Sequence, residues 1–284
     1  MGILKYRTLF SDNNSNQPPT TNYLVVSCFY KKQLGDCIMS KIIMKLLWYY
    51  ILSFFLPIKK MRHKRDKYKN KLNDYKHRLS ALYTVCKDIK IHKIRMVRGG
   101  NNIGFIVNNK YVFKTKERES SDIHNVMKEK RITDAFANIV HVKIPKIDIV
   151  DAGQYIFCKY EFIPGKNLTG FSLHTIKKHR ENLAKQVAKF IFSMHTYFPD
   201  TINDLKDSDG NSWGHNDLCN NMIVDTKTMK IVGIIDWEYA GWTSVETEIH
   251  NATAFSPKLI KAGFDIAIRI EYAKINAKHT RIQL

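Results

Sequence analysis

Two rhythms of apolar and polar positions alternate from residue 103 onward in this 284-residue chain. Residues 103–107 and 111–115 run apolar or alternate, and Asn108-Asn109 between them suits a tight two-residue turn, so the pattern predicts a β-hairpin. The period then lengthens: Ile123, Val126, Met127, Ile132 and Phe136 have helical spacing over residues 122–136. A strand-like run covers 154–162. Residues 173–197 predict a long amphipathic helix with Leu183, Val187, Phe190, Ile191 and Met194 on one side. Two β-rich runs, 222–225 and 230–235, are joined by turn formers and predict a second hairpin. Leu259, Ile260, Phe264, Ile266, Ile268 and Ile270 predict one or two closing helices over 255–277.

The first ninety residues read differently. Residues 1–38 are polar, apart from a brief apolar run at 23–29, and Met39 is a more natural start; we expect a dispensable tail or an overextended reading frame there. Residues 46–56 are apolar, and directly after them ten Lys or Arg stand between Lys59 and Arg78 against Asp66 and Asp74. Met61, Tyr68, Leu72, Tyr75, Leu79, Leu82 and Cys86 give this basic stretch a three-and-four seam, so it reads as a helix packed on the small lobe or in a short coiled coil.

Composition sharpens this picture. With 44% hydrophobic residues the chain can build a core, which excludes disorder throughout. The net charge of +20, from 46 basic and 26 acidic residues, is concentrated near the front. An apolar segment shorter than the roughly 20 residues that span a bilayer, with Trp48, Tyr49 and Tyr50 in it and cations after it, predicts an anchor on an anionic membrane surface. The expected location is cytoplasmic, peripheral on the inner face of the membrane. Nucleic acid is disfavoured as a partner, because the adjacent apolar stretch explains the charge better. Five cysteines, Cys28, Cys37, Cys86, Cys158 and Cys219, form no zinc-like pairs and argue for reduced thiols.

The chemistry concentrates in residues 214–238. Asp217, Asn221 and Asp236 fit the needs of phosphoryl transfer: one carboxylate orients the attacking hydroxyl, and an amide and a second carboxylate hold magnesium. The hairpin at 222–235 brings Asp217 and Asp236 together. Upstream, Gly99, Gly100 and Gly104, with Asn101 and Asn102 among them, permit close backbone approach to phosphate oxygens ahead of a strand carrying Lys114. Glu129 on the next helix is the expected partner of Lys114, with Glu117 and Glu119 as alternatives. His195 and His215 read as a packed helix-end residue and a loop organiser, and Cys219 as a packing residue.

His215-Asn216-Asp217-Leu218, followed by Ile235-Asp236-Trp237-Glu238-Tyr239-Ala240-Gly241, resembles the aminoglycoside phosphotransferase and choline kinase superfamily, and the choline kinase branch most. The resemblance implies a protein-kinase-like fold, ATP and Mg2+ as cofactors, and a small-molecule acceptor. It also implies an interlobe hinge near 160–163, where backbone groups of Glu161 and Ile163 would meet adenine. In one respect the chain departs from the family, which has four residues between the catalytic Asp and the metal-binding Asn. Only Leu218, Cys219 and Asn220 separate Asp217 from Asn221, so Asn220 is an alternative ligand and a catalytically silent kinase fold is the rival reading.

The expected fold class is therefore α+β and two-lobed, with a small β-rich N-lobe (91–161) and a larger, mainly helical C-lobe (162–284). A loose extension (1–41) and an apolar anchor with a basic amphipathic helix (42–90) precede it. The expected reaction is phosphorylation of a hydroxyl on a choline-type amino alcohol or on a cell-surface sugar in a lipopolysaccharide or glycan. Glu238, Glu246 and Glu248 could supply acidic contacts to a cationic acceptor.

Overall fold

The computed structural model describes residues 38–55, 59–98, 103–206 and 210–283, and the chain divides into two compact units, Met1–Leu72 and Asn73–Leu284. In the first unit helix α1 (Ile38–Phe55) precedes the opening turns of α2 (Lys59–Val85). Tyr49 and Tyr68 stack with centroids 5.5 Å apart, and the ammonium groups of Lys64 and Lys45 lie 5.5 Å from the Tyr49 and 5.8 Å from the Tyr68 centroid. These cation–π contacts join the two helices where charge meets apolar surface. No helix among the described residues is long and apolar enough to cross a membrane.

The second unit begins inside α2, where the sequence suggested a boundary near residue 90. Tyr75, Leu79, Leu82 and Cys86 are buried as their spacing predicts. Arg78 explains why this half of the helix belongs to the lobe that follows. Its guanidinium donates to Asp74 (2.8 Å), Thr115 Oγ1 (3.3 Å) and Glu117 (2.9 Å), and stacks over Tyr155 at 4.9 Å.

The small lobe is an antiparallel sheet of β1 (Ile94–Arg98), β2 (Ile103–Val107), β3 (Tyr111–Glu117), β4 (Asp148–Ala152) and β5 (Tyr155–Glu161), in the order β1-β2-β3-β5-β4. Asn108 and Asn109 turn the β2–β3 hairpin with φ of 56° and 53°, a left-handed conformation that Asn tolerates. The ladder resumes at Val107 and Tyr111, so Lys110 is one residue more than the expected two-residue turn. Its carbonyl accepts from Phe162 N at 2.8 Å and ties the hairpin tip to the hinge. Helix α3 (Ser120–Phe136) buries Val126, Ile132 and Phe136, while Ile123 and Met127 stay exposed on a face wider than its contacts need.

The large lobe is organised by α4 (Leu173–Thr196), capped by Ser172, whose hydroxyl accepts from Thr175 N. Leu183, Val187, Phe190, Ile191 and Met194 are all buried in one core with Trp213 and Trp237. Around it lie β6 (Lys166–Asn167), β7 (Ser212–Gly214), β8 (Met222–Val224), β9 (Ile231–Ile234) and β10 (Gly241–Thr243), arranged as the sheets β6-β8-β9 and β10-β7. Helices α5 (Val245–Asn251), α6 (Pro257–Lys261) and α7 (Phe264–Gln283) close the lobe. The predicted closing stripe is broken: Gly263, at φ 63°, resets the helical phase, burying Leu259, Phe264 and Ile268 but exposing Ile260, Ile266 and Ile270.

Candidate active site

The loop between β7 and β8 carries His215, Asn216, Asp217 and Asn221, and every bend in it has a local cause. Asn216 takes φ 63°, a left-handed conformation that Asn tolerates. The N–H groups of His215 and Asn216 donate to the two oxygens of Glu248, at 2.9 and 2.8 Å. Glu248 comes from the first turn of α5 and is fully buried; burial pushes its carboxyl up to about 7, although those two amides favour the ionised form. A Cβ on Gly214 would meet Glu248 Oε2 at 2.8 Å, so the carboxylate reaches the loop only because that position is glycine. Glu248 is thus a strut between α5 and the loop, expected from the sequence as an acidic contact to the acceptor but buried here with both oxygens on backbone amides.

His215 spans the two halves of the site. Its Nδ1 accepts from Asp217 N at 3.2 Å, so Nε2 carries the proton and donates to the carbonyl of Ile235 at 3.0 Å. The ring is buried edge-on against Trp237 at 4.9 Å, and burial lowers its pKa to about 4. It is a neutral connector between Asp217 and the residue preceding Asp236.

The shortened loop still closes. Asn221 Nδ2 donates to Asp217 Oδ2 at 2.9 Å and to the Asp217 carbonyl at 2.7 Å, and Ile235 N donates to the Asn221 carbonyl at 3.1 Å. Asn220 instead turns outward, its side chain meeting Thr169 and its carbonyl accepting from Asn167. Of the two candidate amides, Asn221 is the one at Asp217. Burial raises the Asp217 pKa, opposed by the Asn221 hydrogen bond and assisted by the negative charge of Asp236. Cys219 is buried and its thiol is pushed up by burial, which suits packing and not nucleophilic attack.

Opposite this loop, Lys114 on β3 is 6% exposed. Its ammonium lies 3.2 Å from Glu129 Oε2, 2.5 Å from Asp236 Oδ1 and 3.4 Å from Glu238 Oε2. Burial disfavours its charge, but the three carboxylates outweigh that and raise the pKa, so Lys114 is held as a cation. Among the three candidate partners Glu129 makes the pair, Glu117 being engaged by Arg78. Glu129 also accepts from Trp237 N at 3.2 Å, linking α3 to the Asp236 segment, where Asp236 itself takes φ 62°.

Lys116, two residues along the same strand face, escaped the sequence reading. It is equally buried and pairs with Glu238 at 2.5 Å and Asp122 at 3.6 Å. Its alternation with Lys114 was the only signal available. Glu238 therefore lies between two lysines and is held by cations of the protein itself.

Gly104 pairs across the ladder with Lys114, and a Cβ there would approach Val97 to 2.9 Å. Gly99, Gly100, Asn101 and Asn102 lie outside the described residues. At the hinge, Glu161 ends β5 with an exposed side chain, and Ile163 is buried. Any Cβ on Gly233 would come within 2.7 Å of the Ile163 side chain, so the hinge rests on a strand made bare for it.

The donor set suits a hard divalent cation. With the Asn221 nitrogen turned to Asp217, its carbonyl oxygen remains, and with the Asp236 carboxylate it offers the oxygen ligands magnesium takes. Among the described residues no group of three His, Cys, Asp or Glu side chains is arranged to hold a metal ion. A two-residue set of this kind fits an ion whose other ligands are phosphates and water.

A small antiparallel sheet carrying a lysine–glutamate pair, and a loop with Asp217 and Asn221 leading into a β-hairpin, define a protein-kinase-like fold. Solved aminoglycoside phosphotransferases share it. The chain is similar to aminoglycoside 2'-phosphotransferase-IIIa in its GDP complex, with TM-score 0.58 and 15% identity over 69% of this chain and 82% of that one. It is similar also to APH(2")-IIa in a streptomycin–ATP ternary complex, with TM-score 0.56 and 18% identity over 68% and 81%. A third is ADP-bound APH(2'')-Ib, at TM-score 0.52 and 18% identity over 68% and 85%. No family model matches the sequence, and no curated protein matches it.

Proposed function

We propose that the protein is an ATP-dependent phosphotransferase acting on a hydroxyl of a small molecule. The observation that carries this reading is the meeting of Lys114, Glu129, Asp217, Asn221 and Asp236, drawn from β3, α3 and two loops, by direct contacts and the His215 bridge. In the reaction the acceptor oxygen bonds to the γ-phosphorus as the bond from that phosphorus to the bridging oxygen breaks, releasing ADP. Asp217 orients the hydroxyl and takes its proton. Lys114, kept charged and fixed by Glu129, aligns the phosphates for in-line transfer. Asn221 and Asp236 would hold Mg2+, which neutralises phosphate charge when bound. Backbone groups of Glu161 and Ile163 are the adenine contacts in this reading. Gly104, paired across the ladder with Lys114, belongs to the phosphate-covering segment in this reading.

For the acceptor we favour a sugar hydroxyl over a choline-type amino alcohol. A cationic headgroup needs a carboxylate to face it, and Glu248 is spent on backbone amides while Glu238 is spent on Lys114 and Lys116. The neighbours named for aminoglycosides support a polyhydroxylated acceptor. For its setting we propose the cytoplasmic face of a membrane, supported by the apolar and basic helices at the front of the chain.

The test is magnesium-dependent ATP consumption by the full chain against simple and lipid-linked sugars, aminoglycosides, choline and ethanolamine, with Asp217→Asn as control. Sugar-stimulated turnover lost in the variant is the expected result. Nucleotide binding without turnover for any acceptor would favour the silent binding protein, which the one-residue deletion in the catalytic loop motivates.

A further inference from the structure

We propose that α1 lies in the plane of an anionic lipid surface with Met44, Leu47, Trp48 and Ile51 seated among the headgroups. This rests on the membrane setting proposed above and adds the face and the lipid charge that make the contact. The four residues are 66%, 38%, 61% and 53% exposed. Their spacing of three, one and three puts them on one side of a helix. On the opposite side Ile42 and Leu46 are buried, so α1 has already used its other apolar face inside the protein. A helix apolar on both sides, with only one side covered, has a second surface to cover.

Length and charge determine what covers it. α1 has 18 residues, about 27 Å at the helical rise, with Lys41 and Lys45 in its first half, so it does not cross a bilayer. Lys41 and Lys45 are exposed at the border of the stripe, where flexible lysine stems let the ammonium reach phosphate while the backbone stays at the interface. Trp48 sits mid-stripe, the side chain most at home at headgroup depth. Residues 59–71 of the same compact unit add eight Lys or Arg against Asp66 alone. An amphipathic helix beside such a cluster fits a surface of negatively charged lipid.

The experiment is co-sedimentation of the full chain with vesicles of phosphatidylcholine alone or with added phosphatidylglycerol. The wild type should pellet with the anionic vesicles and be released by salt. Replacing Met44, Leu47, Trp48 and Ile51 by Gln leaves the charge untouched and should weaken partitioning about a hundredfold or more. Lys67→Gln with Lys69→Gln should weaken it about tenfold or more on anionic vesicles only. Should the quadruple variant misfold, brominated lipid should quench wild-type fluorescence more than that of Trp48→Phe, since Trp213 and Trp237 are fully buried and Trp242 is partly buried, leaving Trp48 the most exposed of the four. Equal pelleting of wild type and a folded quadruple variant would overturn the stripe while sparing the membrane setting. A wild type that never pellets would overturn both. A stripe that instead mediates self-association, or is shielded until residues 1–37 are removed, would assign it to a second copy or to that tail. Asp217→Asn should pellet like the wild type, so failure of the kinase reading is seen separately.

Discussion

The two compact units break the usual rule of apolar inside and charged outside in opposite directions. In the second, Lys114, Lys116, Glu129 and Glu248 are buried; in the first, Met44, Trp48 and Ile51 stand in solvent. Both arrangements cost stability in isolation. Buried charges are tolerated because each has a fixed counter-charge or amide, and a prearranged interior of this kind suits a ligand that is itself multiply charged. Exposed apolar side chains have no such internal compensation, and their compensation has to come from outside the chain.

The largest expected effect falls on Asp217, the carboxylate proposed above to take the proton. Asp217→Asn should lower turnover by about 10²- to 10⁴-fold in steady-state assays while leaving nucleotide affinity within about twofold, because only the proton-accepting group is lost. Next comes the internal charge pairing. Lys114→Met leaves Glu129 buried and without its cation, which should cost about 3–5 kcal/mol in denaturant unfolding. Adding Glu129→Leu should recover much of that stability without activity; if the single variant is as stable as the wild type, the interior charges are not mutually supported.

A third effect concerns pH. Burial lowers the His195 pKa to about 4 from 6.5, so between those values the unfolded chain binds the extra proton. The stabilisation is complete above 6.5 and lost as pH falls toward 4, a change on the order of 3 kcal/mol. His195→Phe should flatten that part of the Tm–pH profile and leave activity at neutral pH unchanged, since the ring is buried at the end of α4 and hydrogen-bonds Tyr272 at 3.2 Å, away from Asp217 and Lys114. The smallest expected effect is at the strut. Glu248→Gln offers one acceptor where two amides converge, and kcat should fall about tenfold, corresponding to ~1.4 kcal/mol, with KM for ATP little changed.

What the sequence made legible was the meeting of side chains joined by short spacings. Asp217 and Asn221 are four apart, the hairpin leading to Asp236 is local, and Lys114 stands on a strand flanked by turn formers. Glu129 was legible because one helical turn decides which carboxylate faces the strand. Glu248 lies 33 residues from His215 N, and no periodicity reports that a helix will deliver a carboxylate to a backbone amide. Lys116 was hidden because a lysine on a strand is ordinarily solvated, and only the fold supplies Glu238 and Asp122. The stripe of Ile260, Ile266 and Ile270 misled because apolar spacing was counted across Gly263, whose left-handed turn restarts the helix in a new phase.

The His215 ring has a further consequence. It accepts at one end and donates at the other, so the neutral ring in a single tautomer is the only state that keeps both bonds. A second proton would turn the acceptor into a donor facing an amide N–H. Acid would then do more than titrate a base: it would part the loop holding Asp217 from the strand end holding Asp236. The imidazole is a spacer of fixed length whose protonation is incompatible with an assembled site, and loss of activity at low pH should accordingly be cooperative with local loosening of residues 215–217 in hydrogen exchange.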